Sequence, residues 1–434
     1  MSVSRCFDMI KFRLMICAIL FSIFIGSPSF LVAQNQNDPY YFLNLYRHLS
    51  GLKEFQKNLV LEKSAQNHAD YMAFTRVISH FQSGKHQLFT GKTAADRAKI
   101  MGYESRTVTE NISVGQRSYP ESIDALFETL YHRLLFLSLT QDEIGIAGQN
   151  QQTGFFVYNI GNSQLNRLCS YTGIIKSASY YTNVCNHLDR IPVKQLDAVE
   201  ITARKNSPLM VLWPPDLSNI ATIGFWEELP NPLGENQISG YPITVQLNPF
   251  FYRNIQDVEI ELSEFDSRHK IPGKLITRQN DRHVKLSDHD FSFFSNQLLK
   301  WGTRYQVVLK FIANDRQQIK KWTFQTRNLA FPKLSISGDQ ELILLNPGKS
   351  YLIEIEAHKT DDMIKQLKWE LEADVQLFVN KVYYNLLELQ LKGALCQKAT
   401  FKLNGNRGFT IQLSGKTKIL SKYYNLNNRN SFCR

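Results

Sequence analysis

The chain has 434 residues, 43% of them hydrophobic and 21% charged. That length exceeds what one core usually serves, so two to four domains are expected, and the balance excludes a disordered chain. The formal net charge of +11 would raise nucleic acid as a partner in a cytosolic protein. No aromatic-basic motif of an RNA-binding sheet occurs, however, and the start of the chain argues for export.

Residues 1–33 differ from the rest. Arg5, Lys11 and Arg13 form a basic opening, "LMICAILFSIFIG" is an apolar run short for a membrane span, and "SPSFLVA" puts small residues before Gln34. This is the layout of a secretory signal peptide cleaved after Ala33; the competing reading is an uncleaved anchor. No cysteine follows the run in lipoprotein position. Cleavage removes three basic residues and Asp8, leaving a net charge of +9 that suits an anionic cell envelope.

Residues 39–161 read as helix-rich. Pro39 opens "YYFLNLYRHL", which Ser50-Gly51 ends. "LVLEKSAQNHADYMAFTRV" places Leu59, Leu61, Ala65, His68, Ala69, Met72 and Ala73 near helical spacing. "TAADRAKIMGY" is a third helix, with Thr93 as cap and Gly102 as stop. Pro120, behind Ser118, starts a fourth that carries His132 near its end. The strand-like pieces "ENISVG", "EIGIAG" and "GFFVYNIG" interleave with these helices, which predicts an α+β layered domain.

Residues 162–195 form a polar linker. It holds Cys169 and Cys185; Cys396 and Cys433 follow later. Two sequence-local bonds, 169–185 and 396–433, are the natural pairing, each stabilising by roughly 3 kcal/mol; four free buried thiols are the alternative. From 196 the strands are short and alternate, as in "YPITVQL", "VEIELSEF", "RYQVVLKFI" and "KKWTFQTR". "SYLIEIEAH", "LLELQLKG" and "FTIQLSG" continue that style after 328. Two all-β sandwiches of immunoglobulin type in the broad sense are expected, at 196–327 and 328–434. Trp213 and Trp226 could be aromatic platforms for glycans, but core positions are the expectation.

The chain contains no GxSxG, HExxH, P-loop, GxGxxG before a helix, or EF-hand loop. A scattered set remains: His80, Glu110 and His132. By spacing alone such a trio fits many chains, and a hydrogen-bonded polar cluster without metal is the competing reading. His68, among the apolar positions of the second helix, reads as a core histidine.

Seven pieces occur in one order: "LNLYRHLSGL", "LEKSAQNHADYMAFTRVISH", "AADRAKIMGY", "TENISVG", "YHRLLFL", "DEIGIAG" and "FFVYNIG". Residues 39–161 thereby resemble the CAP superfamily, the SCP domain of cysteine-rich secretory proteins, antigen 5 and plant pathogenesis-related proteins, in its bacterial secreted branch. The resemblance implies an α-β-α sandwich with a central cleft. It also implies that His80 in "ISHF", Glu110 in "TENI" and His132 in "YHR" line that cleft and, as in some members, bind zinc. Two imidazoles and a carboxylate suit such a metal and leave an open position.

Three departures weaken the match. Thr109 replaces the glycine of the family's "GEN", Thr129 stands where many relatives carry a second acid, and "FFVYNIG" lacks the usual Thr-Gln pair. The expectation is therefore a secreted or periplasmic, non-enzymatic binding module. Its partner would be an extracellular protein, glycan or lipid, with no nucleic acid and no stable membrane span after signal cleavage. A metal-dependent hydrolase using the same cleft is the alternative, and lipid or sterol binding a second one.

Overall fold

The computed structural model describes residues 38–150, 154–171, 177–405 and 407–420. The expected signal segment 1–33 and Cys433 lie outside the described residues. The chain divides into two compact units: residues up to Val211 fall mostly in the first, and the strand-rich remainder in the second.

In the first unit, polar caps fix the helix starts. Asp38 accepts the Tyr40 N–H at 3.0 Å and opens α1 (Pro39–Leu49), which ends where Gly51 turns at a φ of 74°. After β1 (Gln56–Lys57), Asn58 Oδ1 accepts the Val60 and Leu61 N–H groups and opens α2 (Leu59–Thr75). α3 (Ala94–Ile100) starts in a capping box between Thr93 and Asp96. Next come β2 (Thr109–Val114), α4 (Tyr119–Phe127), α5 (Tyr131–Phe136), β3 (Glu143–Asn150) and β4 (Gly154–Gly161).

The four strands form one sheet in the order β1-β3-β4-β2. β4 runs antiparallel to both neighbours, and β1 runs parallel to β3. "GFFVYNIG" is buried along its whole length because helices cover both faces. Phe155 and Val157 face the Ala65, Ala69, Met72 and Ala73 stripe of α2. On the other side, Phe156 meets Tyr119 with ring centroids 5.0 Å apart, and Tyr158 meets Phe136 at 5.1 Å. The small residues of α2 allow close approach: a Cβ on Gly145 would sit 1.9 Å from the Glu62 backbone nitrogen. The result is a three-layer helix–sheet–helix arrangement.

Two local expectations change. The single helix expected to run from Pro120 to His132 is two helices, broken at 128–130. The Arg133 Nε donates to the Phe127 carbonyl at 2.7 Å, so a side chain satisfies the end of α4 where a further turn would have done so. The stretch expected to begin alternating strands at 196 lies inside a helix, Val193–Lys205. Its Leu196 and Val199 pack on a small core of Leu165, Cys169, Cys185 and Ile191, a helical spacing that the polar composition masked. Cys169 and Cys185 are bonded to each other. Cys396 is also disulfide-bonded, and Cys433, its expected partner, lies outside the described residues.

The second unit is built of strands in several sheets. A four-stranded sheet orders Gly273–Ile276, Asp290–Ser295, Ile243–Leu247 and Met210–Trp213. A five-stranded sheet includes Gln256–Glu264, Arg304–Ala313 and Arg316–Thr326. Along Arg304–Ala313 burial alternates strictly, with Tyr305, Val307, Leu309 and Phe311 inward. Asn314 and Asp315, both at positive φ, make the hairpin turn that follows. Trp213 and Trp226 are buried, so neither is an exposed platform. Further on, a four-stranded and a five-stranded sheet share one core that includes Ile343, Ile353, Leu389, Phe401 and Ile411.

Candidate functional site

The first unit gathers charge around Glu110, the second residue of β2. In the antiparallel register Glu110 sits opposite Asn159 of β4. Its side chain is 3% exposed, and three basic side chains surround it. His80, in the segment after α2, places Nδ1 2.9 Å from Glu110 Oε1. Arg97, from α3, places Nη2 2.5 Å from Oε2. His68, from α2, has Nε2 3.9 Å from Oε1.

Burial pushes the Glu110 pKa up. The His80 hydrogen bond and the positive charge of Arg97 outweigh it, so the carboxyl stays below its ordinary value and is ionised. A carboxylate only accepts, so His80 donates from Nδ1, which turns its Nε2 away from Glu110. The His80 side chain is 49% exposed, whereas that of Arg97 is fully buried. The cluster therefore presents one oriented imidazole to solvent and hides the charges that hold it.

His68 supports this from beneath. Its Nε2 lies 2.8 Å from the Ser79 carbonyl, which can only accept, so Nε2 carries the proton and Nδ1 accepts from Gln82 Nε2 at 3.1 Å. Burial lowers the His68 pKa to about 4, against an opposing pull from Glu110. It is a neutral, fully bonded core residue.

The structure thus brings His80 and Glu110 together. His132, at the second position of α5, is linked to the neighbouring residue through its backbone: Asn111 Nδ2 donates to the His132 carbonyl at 2.9 Å. Among the described residues, no group of three or more His, Cys, Asp or Glu side chains could hold a metal. The donor chemistry agrees, because both Glu110 oxygens are engaged and a cation there would face a guanidinium at hydrogen-bond distance.

Arg97 is the member that sequence reasoning missed. Nothing in "AADRAKI" marks this arginine as buried; its partner Glu110 lies 13 residues on, in β2. A separate cavity of about 750 Å³, lined by Tyr40, Lys57, Glu62, Tyr119 and Ile146 among others, shares no residue with the cluster.

Residues 40–161 match the family model described as CAP, cysteine-rich secretory protein family. No curated protein matches the chain. Among solved structures, an outer surface protein from Borrelia burgdorferi is similar at 18% identity and a TM-score of 0.27, covering 30% of this chain and 92% of its own. An extracellular SCP-domain protein from Bacillus anthracis is similar at 18% identity and a TM-score of 0.26, covering 29% of this chain and 39% of its own. Residues 40–161 are therefore a CAP domain of the cysteine-rich secretory protein family.

Proposed function

We propose that the chain is an exported binding protein whose CAP domain offers His80 as its recognition group. The carrying observation is the disposition of Glu110, whose two oxygens are taken by His80 and Arg97. That arrangement fixes an imidazole and neutralises the carboxylate, which serves a ligand hydrogen bond better than metal coordination. Export is supported by the signal-like segment 1–33 and by the Cys169–Cys185 bond, since disulfides persist in oxidising compartments. The strand-rich regions read as immunoglobulin-like sandwiches that carry or position the domain.

Hydrolysis is the second reading, supported by the outward Nε2 of an imidazole held by a carboxylate, the orientation a general base needs. Calorimetric titration of the mature chain with zinc, beside His80→Ala and His132→Ala, tests the site. No saturable uptake in any of the three is expected. One-to-one uptake lost in both variants would overturn the metal-free reading. Ester hydrolysis lost in His80→Ala would replace the binding reading with the hydrolytic one.

A further inference from the structure

The end of α2 and the segment that leads from it to α3 have their polarity turned inside out. Phe74, Val77, Ile78, Phe81, Leu88 and Phe89 are all exposed, Ile78 at 62%. The polar side chain of Gln82, in the middle of the same segment, is buried.

The backbone there is tied down. Gln82 Oε1 accepts the Thr90 N–H at 2.8 Å, and the Gln82 N–H donates to the Lys92 carbonyl at 3.0 Å. The Ser83 N–H donates to the Tyr71 hydroxyl at 2.9 Å. Arg97 Nη1 reaches the His80 carbonyl at 3.1 Å and the Lys92 carbonyl at 3.4 Å, so one buried guanidinium holds both sides of the segment. The exposed apolar side chains therefore stand on a braced backbone and are not a loose loop awaiting its own core.

Charge says what covers them. From Phe74 to Lys92 the sequence contains no Asp or Glu, while Arg76, Lys85 and Lys92 are exposed. The nearest acids in sequence are committed: Asp96 to the Thr93 cap, and Asp70 to Gln66 and Gln149. Apolar side chains interleaved with cations and free of acids are the pattern that enters the headgroup region of an anionic bilayer: the apolar groups pass below the headgroups and the cations stay at the phosphates. We propose that residues 74–92 dock the mature protein on an anionic phospholipid surface. Among the described residues no helix is long and apolar enough to cross a membrane, so the contact proposed is interfacial. His80 lies within this face, between Ile78 and Phe81, and is kept in every variant below, so vesicle binding is read without asking His80 to bind a ligand.

The test is co-sedimentation of the full mature chain, from Gln34, with phosphatidylcholine vesicles and with vesicles of phosphatidylcholine and phosphatidylglycerol. Pelleting with the anionic vesicles is expected, weakened about tenfold in Ile78→Ser/Phe81→Ser and in Lys85→Glu/Lys92→Glu. It should be unchanged in Arg316→Glu/Lys321→Glu, which removes exposed charge from a distant part of the sequence. All substituted side chains are exposed, and unchanged thermal melts confirm folding. Failure to pellet overturns the proposal. So does an equal loss in the Arg316/Lys321 variant, which would reduce binding to net charge alone. A self-association in sedimentation velocity that only the Ile78/Phe81 variant abolishes, without lipid binding, would assign the face to a second copy of the chain.

Discussion

Two glutamates in this molecule have the same immediate chemistry in different settings. Glu110 of the CAP domain lies between His80 and Arg97, with a side chain 3% exposed. Glu261 of the strand-rich unit lies between Lys270 at 2.9 Å and Lys310 at 2.8 Å, with a side chain 38% exposed. Lys310 and Lys270 pull the Glu261 carboxyl down to about 2. Water and salt can replace those lysines at little cost, because an exposed pair is screened and holds two long side chains in place for a small return. Nothing can replace Arg97 for Glu110, since removing one partner leaves a charge stranded in the interior. Distance alone does not rank the two clusters; burial does.

Substitutions can break this comparison in order of size. Arg97→Met should destabilise the CAP domain by about 3–5 kcal/mol, and adding Glu110→Gln should restore much of it, because the stranded charge is then gone. All five tryptophans lie from Trp213 onward, so tryptophan fluorescence reports the strand-rich unit, whereas hydrogen exchange of peptides from 59–75 reports the CAP domain. A faster exchange of those peptides, with the tryptophan transition unchanged, is the expected result. A loss under about 1 kcal/mol would mean that water reaches Glu110.

His68 sharpens the same point through pH. Its folded pKa is depressed to about 4, below the ordinary value near 6.5. Above pH 6.5 the ring is neutral in both states and contributes no slope. Between 6.5 and 4 the unfolded chain takes up the proton and the folded one does not, so about 3 kcal/mol of stability should be lost as pH falls through that window. His68→Gln should flatten this part of the stability profile of the 59–75 peptides; an unaltered slope would place the titration elsewhere. Glu261→Gln is the smallest effect, below roughly 1 kcal/mol in the tryptophan transition and fading with added salt. A larger change would show that the two glutamates are alike after all.

Legibility in the sequence followed the range of the interactions. Thr93 announced a helix start because a cap acts within three residues, whereas the caps at Asp38 and Asn58 came from the structure. Strands such as Arg304–Ala313 announced themselves by alternation, which needs only one buried face. The break between α4 and α5 carried no glycine or proline, and the group that satisfies it, Arg133, lies six residues away from the carbonyl it takes. The helix at 193–205 was obscured because it has only a narrow apolar edge, Leu196 and Val199, and no fully buried residue.

The candidate site divides in the same way. The family motifs singled out His80, Glu110 and His132, and the residue types allowed either a metal or a polar cluster. By itself the sequence determined the signal-like start, the cap at Thr93, the alternating strands and the order of motifs that marks a CAP domain at residues 40–161. Only the tertiary structure decided that Arg97 takes one oxygen of Glu110, that His68 is bonded through both ring nitrogens, and that the apolar side chains of residues 74–92 face outward over a braced backbone. The physical reason is that caps and periodicity act between near neighbours, whereas the partner of a buried charge is chosen by packing between segments that the sequence holds apart.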